Sequence, residues 1–201
     1  MIPATKTTKE VDIFPTGSYP ARIYQIIHIG TVLGYEGKLQ NKVLITFEFP
    51  TELKVFDEKK GEQPRVLSIE ATLSTHEKSG LTKIIKACDT KGIIEDQDYN
   101  VENLIGKACL VTVAHKKKKD GTGMYPILET FAPLPKGMVC PPQINPSKVL
   151  SFDNFDWNLF STLPQFIQDA IKSSTEFFAL KKPDASDGYP KETYDPNEVP
   201  F

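Results

Sequence analysis

Stretches of alternating apolar and polar residues occur five times along the chain, and each predicts a β-strand with one buried face. Proline cannot donate to a strand ladder, so Pro50 should end the second strand. The charged stretch 57–62 should form a solvated loop. The predicted strands are Ala21–Ile29, Lys42–Phe49, Arg65–Leu73, Lys107–His115 and Met124–Phe131.

The first strand should present two different surfaces. One face is mainly apolar and can line a core, whereas the other mixes basic and aromatic side chains and can contribute to a ligand surface. The core face holds Ala21, Ile23, Gln25, Ile27 and Ile29. The second face holds Arg22, Tyr24, Ile26 and His28.

Helical spacing replaces the alternation after the third strand. Apolar residues at i, i+3, i+4 and i+7 predict an amphipathic helix, with Ser79 as its N-cap and Gly92 as its stop. Its apolar stripe is Leu81, Ile84, Ile85 and Cys88. The same spacing predicts a helix in Pro164–Ser173.

The order of elements is three strands, a helix and a hairpin of two strands. This order predicts a mainly β fold, a five-stranded OB-fold Greek-key barrel with one helix between strands 3 and 4. We expect a flexible arm at 1–16, the barrel at 17–135, and a Pro-rich linker with a C-terminal helix at 136–182 packing on the barrel. Residues 183–201 should form a disordered acidic tail, because they contain too few apolar residues to form a core.

Three aromatic residues in the linker region should cover an apolar surface, either of the barrel or of a second subunit. They are Phe152, Phe155 and Trp157. A monomer and a homo-oligomer both remain open.

Charge is distributed unevenly between the tail and the rest of the chain. The net charge is −2. Residues 183–201 contain five acids and one lysine, so the remaining residues carry a net charge of +2. A mildly basic body with an acidic extension indicates a protein that binds a polyanion.

Two loops would frame the ligand face of an OB-fold, and both contain lysine. They are Thr31–Asn41 and His115–Gly123. Single-stranded nucleic acid is held by cations that contact phosphates and aromatic rings that stack on bases. The candidate residues are Arg22, Tyr24, Tyr35, Lys38, Lys42, Lys116, Lys117, Lys118, Lys119 and Tyr125.

No catalytic motif points to an enzyme, and we expect no cofactor. The chain has no GxxxxGK[ST] phosphate loop, no GxSxG elbow and no HExxH. None of the three histidines lies at metal-ligand spacing from a cysteine or from another histidine, so we expect no metal site. The three cysteines are widely spaced, which favours reduced thiols and a cytoplasmic location. The sequence also predicts neither a signal peptide nor a membrane span.

Several segments resemble phage-encoded single-stranded DNA-binding proteins. They are 19–50, 104–113, 134–137 and 163–176, and the similarity covers most of 17–180. The resemblance implies an OB-fold that coats single-stranded DNA during replication, recombination or repair in the host cytoplasm.

The last residues are similar to the acidic C-terminal tip of bacterial single-stranded DNA-binding proteins. A phenylalanine beside the terminal carboxylate can enter an apolar pocket while acidic side chains meet a basic rim. The resemblance implies that this tip recruits replication or recombination proteins. The residues concerned are Asp195, Glu198, Val199, Pro200 and Phe201.

Three alternatives to this function remain open. The first is an RNA-binding or recombination-mediator OB protein. The second is a magnesium-dependent nuclease that uses three acidic strand residues, Glu48, Glu70 and Glu129. The third is an interaction protein that does not bind nucleic acid.

Overall fold

The computed structural model describes residues 12–34, 37–92 and 98–180. Its strands are β1 (Gly17–Leu33), β2 (Leu39–Asp57), β3 (Gly61–Thr72), β4 (Ala108–Lys117), β5 (Met124–Ala132) and β6 (Lys148–Leu150). Its α-helices are α1 (Gly80–Cys88), α2 (Trp157–Thr162), α3 (Gln165–Lys172) and α4 (Thr175–Ala179), and a short 3-10 helix covers Val101–Leu104. Tyr35 and the predicted acidic tail 183–201, with its tip residues 195–201, lie outside the described residues.

The protein is mainly β, with one curled antiparallel sheet in the order β3-β2-β1-β4-β5. β1 lies at its centre and divides its pairing between two neighbours. Gly17–Arg22 pairs with β4, and Arg22–Leu33 pairs with β2. β3 and β5 approach each other, so the sheet curls into a half-barrel.

The side-chain alternation of β1 is interrupted at Tyr24. Ile23 pairs with Phe47 and Gln25 pairs with Thr46, so Tyr24 is an extra residue at a β-bulge. A bulge shifts the following side chains to the opposite face. The predicted faces are therefore wrong beyond this point. Ile26 joins the core with Ile23, and a second apolar cluster contains Ile27 and Ile29.

The second strand does not end at Pro50. β2 continues to Asp57 and pairs with β3 from Gly61 onward, so most of the predicted loop belongs to a long hairpin. Pro50 lies within a register shift between Phe49 and Leu53. A proline is tolerated there because the ladder is already interrupted.

α1 confirms the predicted helix and its cap. The Ser79 hydroxyl accepts a hydrogen bond from the Thr82 amide at 3.0 Å, which satisfies one of the free amides of the first turn. Leu81, Ile84 and Ile85 are buried in the core inside the curled sheet. The helix contacts β3, β4 and β5 and covers the core that these strands surround.

The C-terminal segment packs on the outside of the sheet. β6 pairs in parallel with β1, and α2 to α4 follow it along the same surface. Phe152, Phe155 and Trp157 pack around a cluster that contains Ile27 and Leu150. In the part of the chain that the structure describes, no helix is long and apolar enough to cross a membrane.

Candidate nucleic-acid interface

Two hairpins extend past the same end of β1. Gly17, the first residue of β1, pairs with Val113, and β4 continues beyond it to Lys117. Arg22 pairs with Glu48, and β2 continues beyond it to Asp57. We call residues 114–127 the lysine hairpin and residues 50–65 the ribbon hairpin. The candidate interface is the region that contains both.

The lysine hairpin carries four exposed cations and an aromatic ring. Lys116 lies directly opposite Tyr125, and Lys117 opposite Met124. Residues directly opposite each other in adjacent strands point to the same face. Lys116 and Tyr125 are therefore neighbours, and Tyr125 is 38% exposed. Lys118 and Lys119 are exposed at the turn.

Hydrogen bonds hold the tip of this hairpin in shape. The Lys118 amide donates to the carbonyl of Gly123 at 2.9 Å, and the Gly121 amide donates to the carbonyl of Lys118 at 3.0 Å. The amide and hydroxyl of Thr122 donate to Asp120 at 3.0 and 2.7 Å. These bonds from Thr122 lower the pKa of the Asp120 carboxyl, with a further contribution from Lys118. The tip therefore keeps a defined turn beneath its lysines.

The loop between β1 and β2 lies at the other end of β1. It follows Leu33, whereas the lysine hairpin extends past Gly17. Lys42 forms an ion pair with Glu70, with 2.6 Å between Nζ and Oε1. Lys38 is exposed, and its carbonyl accepts a hydrogen bond from the Gly34 amide at 2.8 Å. The two predicted framing loops are therefore separated by the length of β1.

Arg22 is held by the chain itself. Its guanidinium donates to the carbonyls of Gly106 at 2.5 Å, Cys140 at 3.1 Å, and Pro141 at 3.0 and 3.3 Å. These bonds fasten the linker to β1. Because the donors of the guanidinium are directed at carbonyls, Arg22 is not available to a phosphate in this structure.

Glu48 fastens the same linker from β2. It is fully buried, and its carboxylate accepts hydrogen bonds from the amides of Ile144 and Asn145 at 2.8 Å and from Asn145 Nδ2 at 2.7 Å. A buried carboxylate needs such donors. Glu48 is thus committed to the fold, while Glu70 is paired with Lys42 and Glu129 is exposed. This arrangement does not favour the nuclease alternative.

Tyr24 lies at the bulge of β1 and is half-buried. Burial raises the pKa of its hydroxyl, and the nearby Glu48 carboxylate raises it further. The phenol is therefore neutral over the physiological range. Its position beside Glu48 places it near the linker contacts.

Sequence reasoning missed a second group of charges, on the ribbon hairpin. Lys54 of β2 and Arg65 of β3 both form ion pairs with Asp12, at 2.7 and 2.8 Å. Phe56, which is 59% exposed, lies beside Lys54 with 5.5 Å between its ring centroid and Nζ. The alternation of apolar and polar residues in Leu53-Lys54-Val55 indicates that the strand continues beyond Pro50. The rule that proline ends a strand is misleading at this position.

A cavity of about 480 Å³ lies elsewhere, near the far end of β1. Its lining includes the apolar residues Ile26 and Val43 and the acidic residues Asp98, Glu102 and Asp153. A lining with three acidic residues disfavours the binding of phosphates. This cavity is therefore separate from the candidate interface in both position and charge.

Comparison with known proteins gives no family assignment. No protein-family model matches the chain, and no curated protein sequence is significantly similar to it.

Proposed function

We propose that this protein binds single-stranded DNA without sequence preference. The observation that carries the proposal is the lysine hairpin, where consecutive exposed lysines adjoin the ring of Tyr125. Lysines attract phosphates regardless of sequence, and an aromatic ring stacks on any base, at about 1–3 kcal/mol per base.

The topology supports an OB-fold as the scaffold. Five antiparallel strands in the order β3-β2-β1-β4-β5, with a helix between β3 and β4, are the arrangement expected of that fold. OB-folds use the β4–β5 connection to bind oligonucleotides. In this proposal the protein coats DNA during replication, recombination or repair, and residues 195–201 recruit partner proteins.

Titration of a fluorescent oligo-dT strand tests the proposal. Replacing Lys116, Lys117, Lys118 and Lys119 by alanine should weaken binding at least about tenfold. It should also flatten the salt dependence by about 0.7 in log–log slope for each phosphate that the variant no longer neutralises. A control variant replaces four lysines in or beside α1, Lys78, Lys83, Lys86 and Lys91, which removes the same charge.

Equal weakening in the two variants would mean that only net charge matters, and the lysine hairpin would not be the site. Failure of the unaltered protein to bind oligo-dT at low salt would reject the function. The affinities for an RNA strand of the same length and for a DNA duplex are measured in the same way. Tighter binding to the RNA would favour the RNA-binding alternative.

A further inference from the structure

Two cations on the ribbon hairpin converge on one carboxylate. Arg65 Nη2 donates to both oxygens of Asp12, at 2.9 and 2.8 Å, and Lys54 Nζ lies 2.7 Å from Oδ2. The Lys54 and Arg65 side chains are 30% and 14% exposed, whereas Asp12 is 53% exposed. The cations are thus built into the hairpin, and the anion sits on the solvent side.

We propose that Lys54 and Arg65 form a phosphodiester-binding site and that the Asp12 carboxylate occupies this site until a DNA strand displaces it. This inference rests on the proposed binding of single-stranded DNA. It assigns to the ribbon hairpin a second contact with the strand, in addition to that of the lysine hairpin.

A phosphodiester has the chemistry that this site recognises. Carboxylates and phosphates both present two anionic oxygens, and guanidinium and ammonium groups bind either one. Phe56 lies next to Lys54 and offers an exposed ring on which the adjoining base can stack. One phosphate and one base of a single strand would therefore be held side by side.

Asp12 can leave this site without disturbing the fold. The Asp12 side chain is 53% exposed, so solvent screens its charge and weakens its two ion pairs. The nearest anchor is Phe14, which is buried against Tyr19 and Phe49 with ring centroids 5.2 and 4.7 Å away. Phe14 therefore holds the segment in place when the Asp12 side chain turns away.

The same segment connects the site to the lysine hairpin. The Arg65 guanidinium lies 5.5 Å from the centre of the Phe14 ring, and His115 Nε2 donates to the Phe14 carbonyl at 2.7 Å. His115 immediately precedes the four lysines. A strand that crosses this segment would meet both groups of cations.

The test is the affinity of the whole chain for a fluorescent oligo-dT strand. Replacing Asp12 by asparagine should tighten binding about two- to fivefold, because the phosphate no longer competes with a carboxylate. The control is Asp169→Asn, which removes the same charge from an exposed pair with Lys172 on α3. It should leave the affinity almost unchanged.

A double-mutant cycle locates the effect. Lys54→Ala should weaken binding and reduce the log–log salt slope by about 0.7. When Lys54→Ala or Arg65→Lys is already present, the increase in DNA affinity that Asp12→Asn produces should shrink or vanish. Circular dichroism confirms that each variant is folded.

Three results would contradict this assignment. In the first, Asp12→Asn and Asp169→Asn increase the DNA affinity equally. In the second, Asp12→Asn does not increase it, and in the third, Asp12→Asn increases it fully even in the Lys54→Ala variant. In each of these cases the unaltered protein still binds DNA and the proposed function stands. If the unaltered protein does not bind at low salt, the proposed function fails, and this site fails with it.

Discussion

Single charged residues hold the C-terminal segment of this protein to its sheet. Arg22 and Glu48 are cross-strand neighbours, and each is hydrogen-bonded to the backbone of the linker. Arg22 binds linker carbonyls and Glu48 binds linker amides, and these amides satisfy a carboxylate that is fully buried.

Replacing Glu48 by glutamine should lower the free energy of unfolding by about 2–3 kcal/mol. The amide keeps the size of the side chain, but it loses the charge and presents an NH2 group to donors. Urea denaturation measures the change. Glu129→Gln, at an exposed position of β5, should change stability by less than about 0.5 kcal/mol. Similar losses in the two variants would contradict this role for Glu48.

Glu176 joins α4 to the end of β1. Its carboxylate accepts hydrogen bonds from the amide and hydroxyl of Thr31, both at 2.6 Å. Burial raises the pKa of this carboxyl, but the hydrogen bonds from Thr31, from the Glu176 amide itself and from the Thr175 hydroxyl together outweigh burial and lower the pKa to about 2. The ionised form is therefore favoured in the folded protein.

Acid should remove the contribution of Glu176 to stability. This contribution is fully present above the usual pKa of 4.5 and is lost as the pH falls through about 2. Glu176→Gln should destabilise the protein by about 1–2 kcal/mol at neutral pH. The difference from the unaltered protein should shrink between pH 4.5 and 2, as measured by urea unfolding. A difference that is independent of pH would contradict this explanation.

At the scale of elements, the two hairpins determine what can reach the candidate interface. The sequence predicted the lysine hairpin, because the positions of β4, the lysines and β5 all follow from local pattern and turn residues. It did not predict the length of the ribbon hairpin. Pro50 reads as a stop, and only the pairing of β2 with β3 shows that the ladder resumes at Leu53.

Tyr125 should provide stacking from the lysine hairpin. Tyr125→Ala should weaken oligo-dT binding by about 1–3 kcal/mol. Tyr125→Phe should retain most of the affinity, because stacking needs the ring and not the hydroxyl. Equal losses in both variants would assign the effect to the hydroxyl group, and no loss in either would remove Tyr125 from the interface.

At the scale of the whole molecule, the predicted domain boundary at residue 135 does not separate two independent units. Arg22 and Glu48 of the curled sheet both bind the segment that follows this boundary. Local pattern could not show that Arg22 faces the linker, because its partners lie more than eighty residues away in sequence. Likewise, nothing near Tyr24 in the sequence marks the bulge that redirects Ile26 and Ile27. Both features depend on pairing between distant strands.

A chain that stops at residue 135 should therefore fail to fold cooperatively. It would expose Ile27 and Ile29, and it would leave Glu48 buried without its amide donors. A chain that stops at residue 180 is the control and should melt in one sharp transition. Thermal melting followed by circular dichroism, with a hydrophobic dye as a second probe, distinguishes the two. A cooperative melt of the shorter chain would show that the curled sheet folds without the C-terminal segment.

The parallel pairing of β6 with β1 determines when, during synthesis, the sheet can acquire its last strand. β1 ends at residue 33, and β6 begins only at residue 148. At about 5–20 residues per second, the first strand leaves the ribosome roughly ten seconds before the segment that covers it. During that interval Ile27 and Ile29 lack the cover that the C-terminal segment later supplies, so this apolar cluster can close only after residue 171 has been made.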